Sequence, residues 1–218
     1  MRSAHRSGLL LSMCFRTMGV VVAALAIGCT TGQGEGEVHS DQLLMTGCWN
    51  GPFDLEPTFF SAQGFDEKSL MIRVQRGDDI AEFSDGLQLV VYDLPRARAA
   101  LGQDLPVGLP NGVTPPGAAR MLGETPLVSL ALSLHSSCRG SNGAVYSISG
   151  SVQFTKLFSG DPNEKDADER LTAGSFVADF ADPRELVADP ESAGARISSV
   201  RGRFEFFFQR GQPAQPFP

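Results

Sequence analysis

Between Val128 and His135 every second residue is a large aliphatic one: Val128, Leu130, Leu132 and Leu134 alternate with Ser129, Ala131, Ser133 and His135. A repeat of two places successive side chains on opposite faces of an extended chain, so this run reads as a half-buried strand. The same period recurs along the chain. Leu70, Ile72 and Val74 share a face opposite Arg73 and Gln75, and residues 87–92 (LQLVVY) form a strand-like run with both faces partly apolar. Tyr146, Ile148, Val152 and Phe154 share one parity, with Gly150 at an expected bend or bulge. Phe176, Ala178 and Phe180 alternate with Val177 and Asp179, and Phe204, Phe206 and Phe208 alternate with Arg203, Glu205, Phe207 and Gln209. Each of these phenylalanines can bury on the order of 150–200 Å² and is expected in a core.

No long period of 3.6 appears. Residues 96–101 (RARAAL) and 184–188 suit one or two helical turns at most. The pattern of short strands separated by Gly, Pro, Asn and Asp, without strand–helix alternation, predicts an all-β fold. An antiparallel β-sandwich is expected, with a barrel-like sheet as the alternative. Residues 94–124, rich in Pro and Gly, and 182–195 read as long loops, the places where a β scaffold carries binding function.

Ahead of this region the composition changes. Arg2, His5, Arg6 and Arg16 are the basic side chains before Cys29, no Asp or Glu accompanies them, and residues 18–27 (MGVVVAALAI) are uniformly apolar. Ten apolar residues fall short of the about 20 needed to span a bilayer, and a basic segment before such a run is the pattern of a secretory signal. Met13 is an alternative start that leaves the same apolar run. The run ends at Leu25-Ala26-Ile27-Gly28-Cys29, which resembles the lipobox of bacterial lipoproteins. The resemblance implies cleavage before Cys29 and acylation of that cysteine, with residues 1–28 removed. Several acyl chains anchor stably where one is marginal, at about 0.8 kcal/mol per buried CH₂. Thr30 stands where an Asp would imply retention at the inner membrane, so the resemblance points to the outer membrane.

The expected organisation is then a flexible tether over 29–41, one β domain over 42–210, and a Pro-rich tail over 211–218, where Pro213, Pro216 and Pro218 remove ladder donors. The strand openings Gly150-Ser-Val-Gln-Phe154, Gly174-Ser-Phe-Val-Ala-Asp-Phe180 and Gly202-Arg-Phe-Glu-Phe-Phe-Phe208, taken with this tail, look like those of lipoproteins of unknown function common in myxobacteria. That likeness implies a class and no activity.

Three of the 18 Lys and Arg precede Cys29 and none of the 25 Asp and Glu does, so the chain from Cys29 onward carries a formal charge of −10. Such a balance opposes nucleic-acid binding and an electrostatic grip on anionic lipid. Of the four cysteines, Cys14 leaves with the signal and Cys29 takes lipid. Cys48 and Cys138 remain as one pair, expected to form a disulfide in an oxidising compartment.

Motifs for chemistry are sparse. Gly-x-Ser-x-Gly, the phosphate-binding loop, the dinucleotide fingerprint and His-Glu-x-x-His do not occur, and no cofactor is implied. His39 lies in the expected tether. His135 precedes Cys138 by three residues, but a disulfide would consume the thiolate that a His–Cys dyad needs. Asp161, Asn163, Asp166, Asp168 and Glu169 supply hard oxygen donors suited to calcium, without the glycine and terminal glutamate of an EF-hand loop. A solvated loop between Phe158 and Leu171 is the competing reading. Asp182, Glu185, Asp189 and Glu191 form a second acidic group. The expected role is a membrane-anchored, non-catalytic binding or assembly module with a possible envelope protein partner. The alternatives are an envelope hydrolase acting on glycan through paired carboxylates, or a calcium-dependent adhesion module.

Overall fold

The computed structural model describes residues 34–64, 66, 68–77, 84–110, 126–139, 143–182 and 196–208. Ten strands run in chain order as β1 (Gly34–Met45), β2 (Trp49–Leu55), β3 (Phe59–Gly64), β4 (Leu70–Gln75), β5 (Asp85–Val91), β6 (Asp104–Gly108), β7 (Val128–Leu134), β8 (Ala144–Lys156), β9 (Leu171–Ala181) and β10 (Ser198–Phe207). Among the described residues one short α-helix, α1 (Leu94–Ala99), lies between β5 and β6, and a single 3₁₀ turn (Asp168–Arg170) leads into β9. The protein is all-β, as the period of two requires.

All ten strands belong to one sheet in the order β2-β1-β10-β9-β8-β6-β7-β5-β4-β3. The pairings are antiparallel apart from β6 with β7. A single curled sheet thus replaces the two-layer sandwich, and the barrel-like alternative describes it. The curvature follows from the connectivity. The edge strands β2 and β3 are consecutive in sequence, joined only by residues 56–58. Four Cα steps from Leu55 to Phe59 span at most about 14 Å, so the sheet must roll until its two edges approach. Contacts across that gap agree: the Arg76 guanidinium donates to the Asp54 carbonyl at 3.1 Å, and Phe60 stacks on Phe206 with centroids 5.5 Å apart. Apolar residues on the concave face of all ten strands, together with Leu94 and Ala97 of α1, form one continuous core.

Three expectations need correction. The stretch 29–41, read as a tether, is ordered strand from Gly34 onward, paired on one side with β10 and on the other with β2. Composition misled here because the glycines serve packing. A Cβ on Gly36 would lie 2.8 Å from the Arg203 carbonyl oxygen and 3.1 Å from Phe60, while Val38 and Ser40 point inward and Glu35 and Glu37 outward. The loop expected over 94–124 contains α1, capped by the Asp93 carboxylate accepting from Arg96 N at 3.0 Å, and then β6.

In β8, Tyr146 and Ile148 do not share a face with Val152 and Phe154. The inward residues before the bulge are Val145 and Ser147, and the register with β9 slips between Ser147 and Ser149. One extra residue reverses parity. Gly150 adopts φ 118°, and a Cβ there would lie 2.3 Å from the Val177 carbonyl oxygen.

Candidate functional site

Two grooves stand out among the described residues. The first, of about 480 Å³, opens beside the β1–β2 hairpin and is lined by Leu44, Met45, Thr46, Gly47, Cys48, Trp49, Asn50 and Arg196. The hairpin turns tightly, with Cys48 N donating to Met45 O at 3.0 Å and Gly47 at φ 73°. Cys48 is bonded to Cys138 with Cα atoms 5.5 Å apart. Because β1 and β7 are well separated in the sheet order, this bond ties the two sides of the curled sheet across one end.

The turn that carries Cys138 is built on a residue that sequence reading missed. Asp85, buried at 1% exposure, accepts from Ser136 N and Ser137 N at 3.0 Å each, and from Ser137 Oγ at 2.6 Å. Three donors on one carboxylate satisfy a charge that burial would otherwise penalise. Its only sequence signal is an acidic residue opening an apolar strand, a pattern too common to single out.

Trp49 is half-buried and held from two sides. Its indole N–H donates to the Pro52 carbonyl at 3.2 Å, and its ring meets Phe53 edge-on at 5.7 Å and 86°. The neighbouring Asn50 carboxamide oxygen accepts from Gln42 Nε2 at 2.6 Å.

The second groove, of about 630 Å³, is lined by residues that include Glu35, Glu37, Glu56, Glu205 and Arg203, with Gly34, Gly36, Gly174 and Ser175 among the small residues along it. Arg203 Nε donates to Glu37 Oε1 at 2.9 Å. On the same strands, His39 bridges two carboxylates: Nδ1 lies 2.5 Å from Asp54 Oδ1 and Nε2 lies 2.9 Å from Asp41 Oδ1. Arg201 Nη1 donates to the other Asp41 oxygen at 3.2 Å. The Asp54 hydrogen bond, then that of Asp41, raises the His39 pKa above its ordinary 6.5. The His39 bond, then Arg201, lowers that of Asp41. With both nitrogens engaged, His39 joins the β1–β2 pair to solvent-facing acids and is not presented as a base or a metal ligand. It belongs to a strand, not to the tether expected for it.

The acidic stretch after Phe158 does not assemble the calcium ligand set considered above. Asp161 accepts from Asn163 N at 2.8 Å and Asp166 from Asp168 N at 2.9 Å. Glu164 accepts from Lys165 N, Asp166 N and Ser159 Oγ, and the Asp166 N–H is the chief cause of its lowered pKa. Glu169 pairs with Arg98. Asp161, Glu164 and Asp166 thus cap their own loop, while Glu169 reaches α1. Among the described residues no group of three or more His, Cys, Asp or Glu side chains is placed to hold a metal ion.

His135 sits in the turn after β7, and the Cys138 sulfur near it in sequence is engaged in the disulfide. Asp182 is buried at the end of β9, whereas Glu185, Asp189 and Glu191 lie outside the described residues, as do Cys29 and the 211–218 tail. No helix among the described residues is long and apolar enough to cross a membrane. Compared with protein-family models, curated proteins and solved structures, the chain matches none.

Proposed function

We propose that the chain is a lipid-anchored, non-catalytic binding module of a bacterial cell envelope, held through Cys29 at the outer membrane. In this reading it belongs with the lipoproteins that its signal and strand openings resemble. The observation that carries the reading is the length of β1, which separates its first residue from the Trp49 groove. The sheet begins at Gly34, five residues after Cys29, so the first strand starts within about 18 Å of the acylated residue. The Trp49 groove lies at the other end of β1, about 35 Å further along a twelve-residue strand. An anchor at one end and a covalently braced groove at the other suits a module that presents its ligand site away from the bilayer.

The anchor is tested by mass spectrometry of the mature N-terminal peptide and by membrane fractionation. The expected result is a diacylglyceryl and acyl mass on Cys29, and release of a Cys29→Ala variant from the membrane fraction. An unacylated N-terminus, or a Cys29→Ala protein that stays membrane-bound, overturns it. The binding role is tested by affinity capture from envelope extract. Recovery of a ligand that competes at the hairpin groove is expected, and capture unaffected by substitutions there argues against the reading.

A further inference from the structure

We propose that the groove beside Trp49 is a saccharide-binding site. The inference rests on the binding-module reading above but does not depend on the anchor. Trp49 is the only tryptophan in the chain, and it is half-buried, packed against the edge of the core while also lining the groove. A pyranose ring presents a face of C–H bonds that packs on an indole face, while its hydroxyls need donors and acceptors around the edge. The groove supplies both kinds of group. Thr46, Asn50 and Arg196 line it together with the indole, and the hairpin backbone adds further N–H and C=O groups. Its volume of about 480 Å³ falls within the roughly 300–1,000 Å³ of small-ligand sites.

The platform is also rigid, and rigidity is what a weakly interacting, flexible ligand requires of its receptor. Indole rotation is limited by the bond to Pro52 O and by the Phe53 edge, and the residue before it is fixed to β7 through the disulfide. In the glutamate-lined groove the arginine, Arg203, is already paired with Glu37, and Val177 and Phe207 are apolar residues exposed on different strands.

The test uses the mature full-length protein in detergent, titrated with N-acetylchitotetraose and, separately, cellotetraose. The two probes share a backbone linkage and differ in the acetamido group, so their comparison separates an N-acetylated wall glycan from a plain glucan as the source of the ligand. Because emission arises from one tryptophan, fluorescence reports the groove directly. A saturable emission change with at least one probe is expected. By calorimetry, Trp49→Ala should weaken binding about 10-fold or more. Arg196→Gln, at an exposed position, should weaken it about 5–10-fold. Trp49→Phe, which keeps an aromatic ring against Phe53, guards against a folding artefact and should give an intermediate loss. No saturable change with either tetrasaccharide up to roughly 10 mM overturns the inference, as does unchanged affinity in both Trp49→Phe and Arg196→Gln. Release from the membrane by Cys29→Ala leaves the titration unaffected, so failure of the anchor and failure of the saccharide site are seen separately.

Discussion

Removing the Cys48–Cys138 bond tests how the curled sheet is held. The two cysteines are 90 residues apart in sequence, so the bond denies the unfolded chain a large share of its conformations. The loop-entropy relation for that separation gives about 4.5 kcal/mol at 25 °C. For a chain of this size that corresponds to a melting temperature lower by roughly 10–15 °C in a Cys48→Ala/Cys138→Ala variant. The assay is urea and thermal unfolding followed by circular dichroism, in oxidising buffer and with reductant. The double variant should lose stability by this amount and show a steeper urea dependence, since its unfolded state exposes more surface. The oxidised parent should match it only after reduction, and the variant itself should ignore reductant. A loss below about 1 kcal/mol, with parallel urea slopes, would refute the reasoning, because it would mean that the unfolded chain is already as confined as the bond makes it.

Phe206→Ala removes a ring that is 1% exposed and stacked on Phe60 between the two halves of the sheet, and should cost about 3–5 kcal/mol in urea unfolding. Gly150→Ala places a Cβ 2.3 Å from a backbone oxygen at φ 118°, whereas Gly102→Ala, at φ 77°, meets nothing within 4 Å. The first should destabilise by well over the about 1 kcal/mol expected of the second, and equal melts for the two would contradict the bulge geometry. The raised His39 pKa implies stability that is fully present below the unfolded value of 6.5 and lost as pH rises through the folded value. NMR titration of the imidazole should find that pKa elevated, and Asp54→Asn should lower it toward 6.5 while the Asp41 bond still holds it up; an Asp54→Asn imidazole that titrates as in the parent would remove Asp54 as its cause.

Strand positions were legible from sequence wherever large aliphatic residues alternate with small or polar ones. Leu70–Gln75 and Val128–Leu134 show this, although their second face is not wet: Met71, Gln75 and Ser129 are buried as well, which alternation alone does not reveal. Gly34–Ser40 was not legible, since its inward positions are Gly36, Val38 and Ser40, and small or polar residues carry no hydrophobic signal even when packed against Phe204 and Phe60. Parity through Gly150 failed for a related reason: a bulge inserts one residue without changing composition. Sheet order was beyond reach, because alternation specifies a face and not a neighbour, and only the three-residue link 56–58 betrays the curl. Among site residues, the cysteine pair was visible by elimination. Asp85 and the His39–Asp54 bond were not, since their partners, the turn after β7 and strand β2, are distant in sequence.

The place of β10 in the sheet has a further consequence, for the order in which the chain can fold. Gly34, the first residue of the sheet, pairs with Phe206, near its end, and the β1–β2 hairpin is joined to the remaining strands only through β10. A lone hairpin is marginally stable in water, and pairings between distant parts of a chain form slowly. A polypeptide delivered N-terminus first therefore stays without its finished sheet until the last strand has emerged. For a chain proposed to be threaded across a membrane, that delay keeps it in a form a translocation channel accepts. Cys48 and Cys138 both emerge earlier, so their bond can park the hairpin beside β7 while β10 is still to come, and the final strand then enters a slot whose two walls, β1 and β9, are already in place.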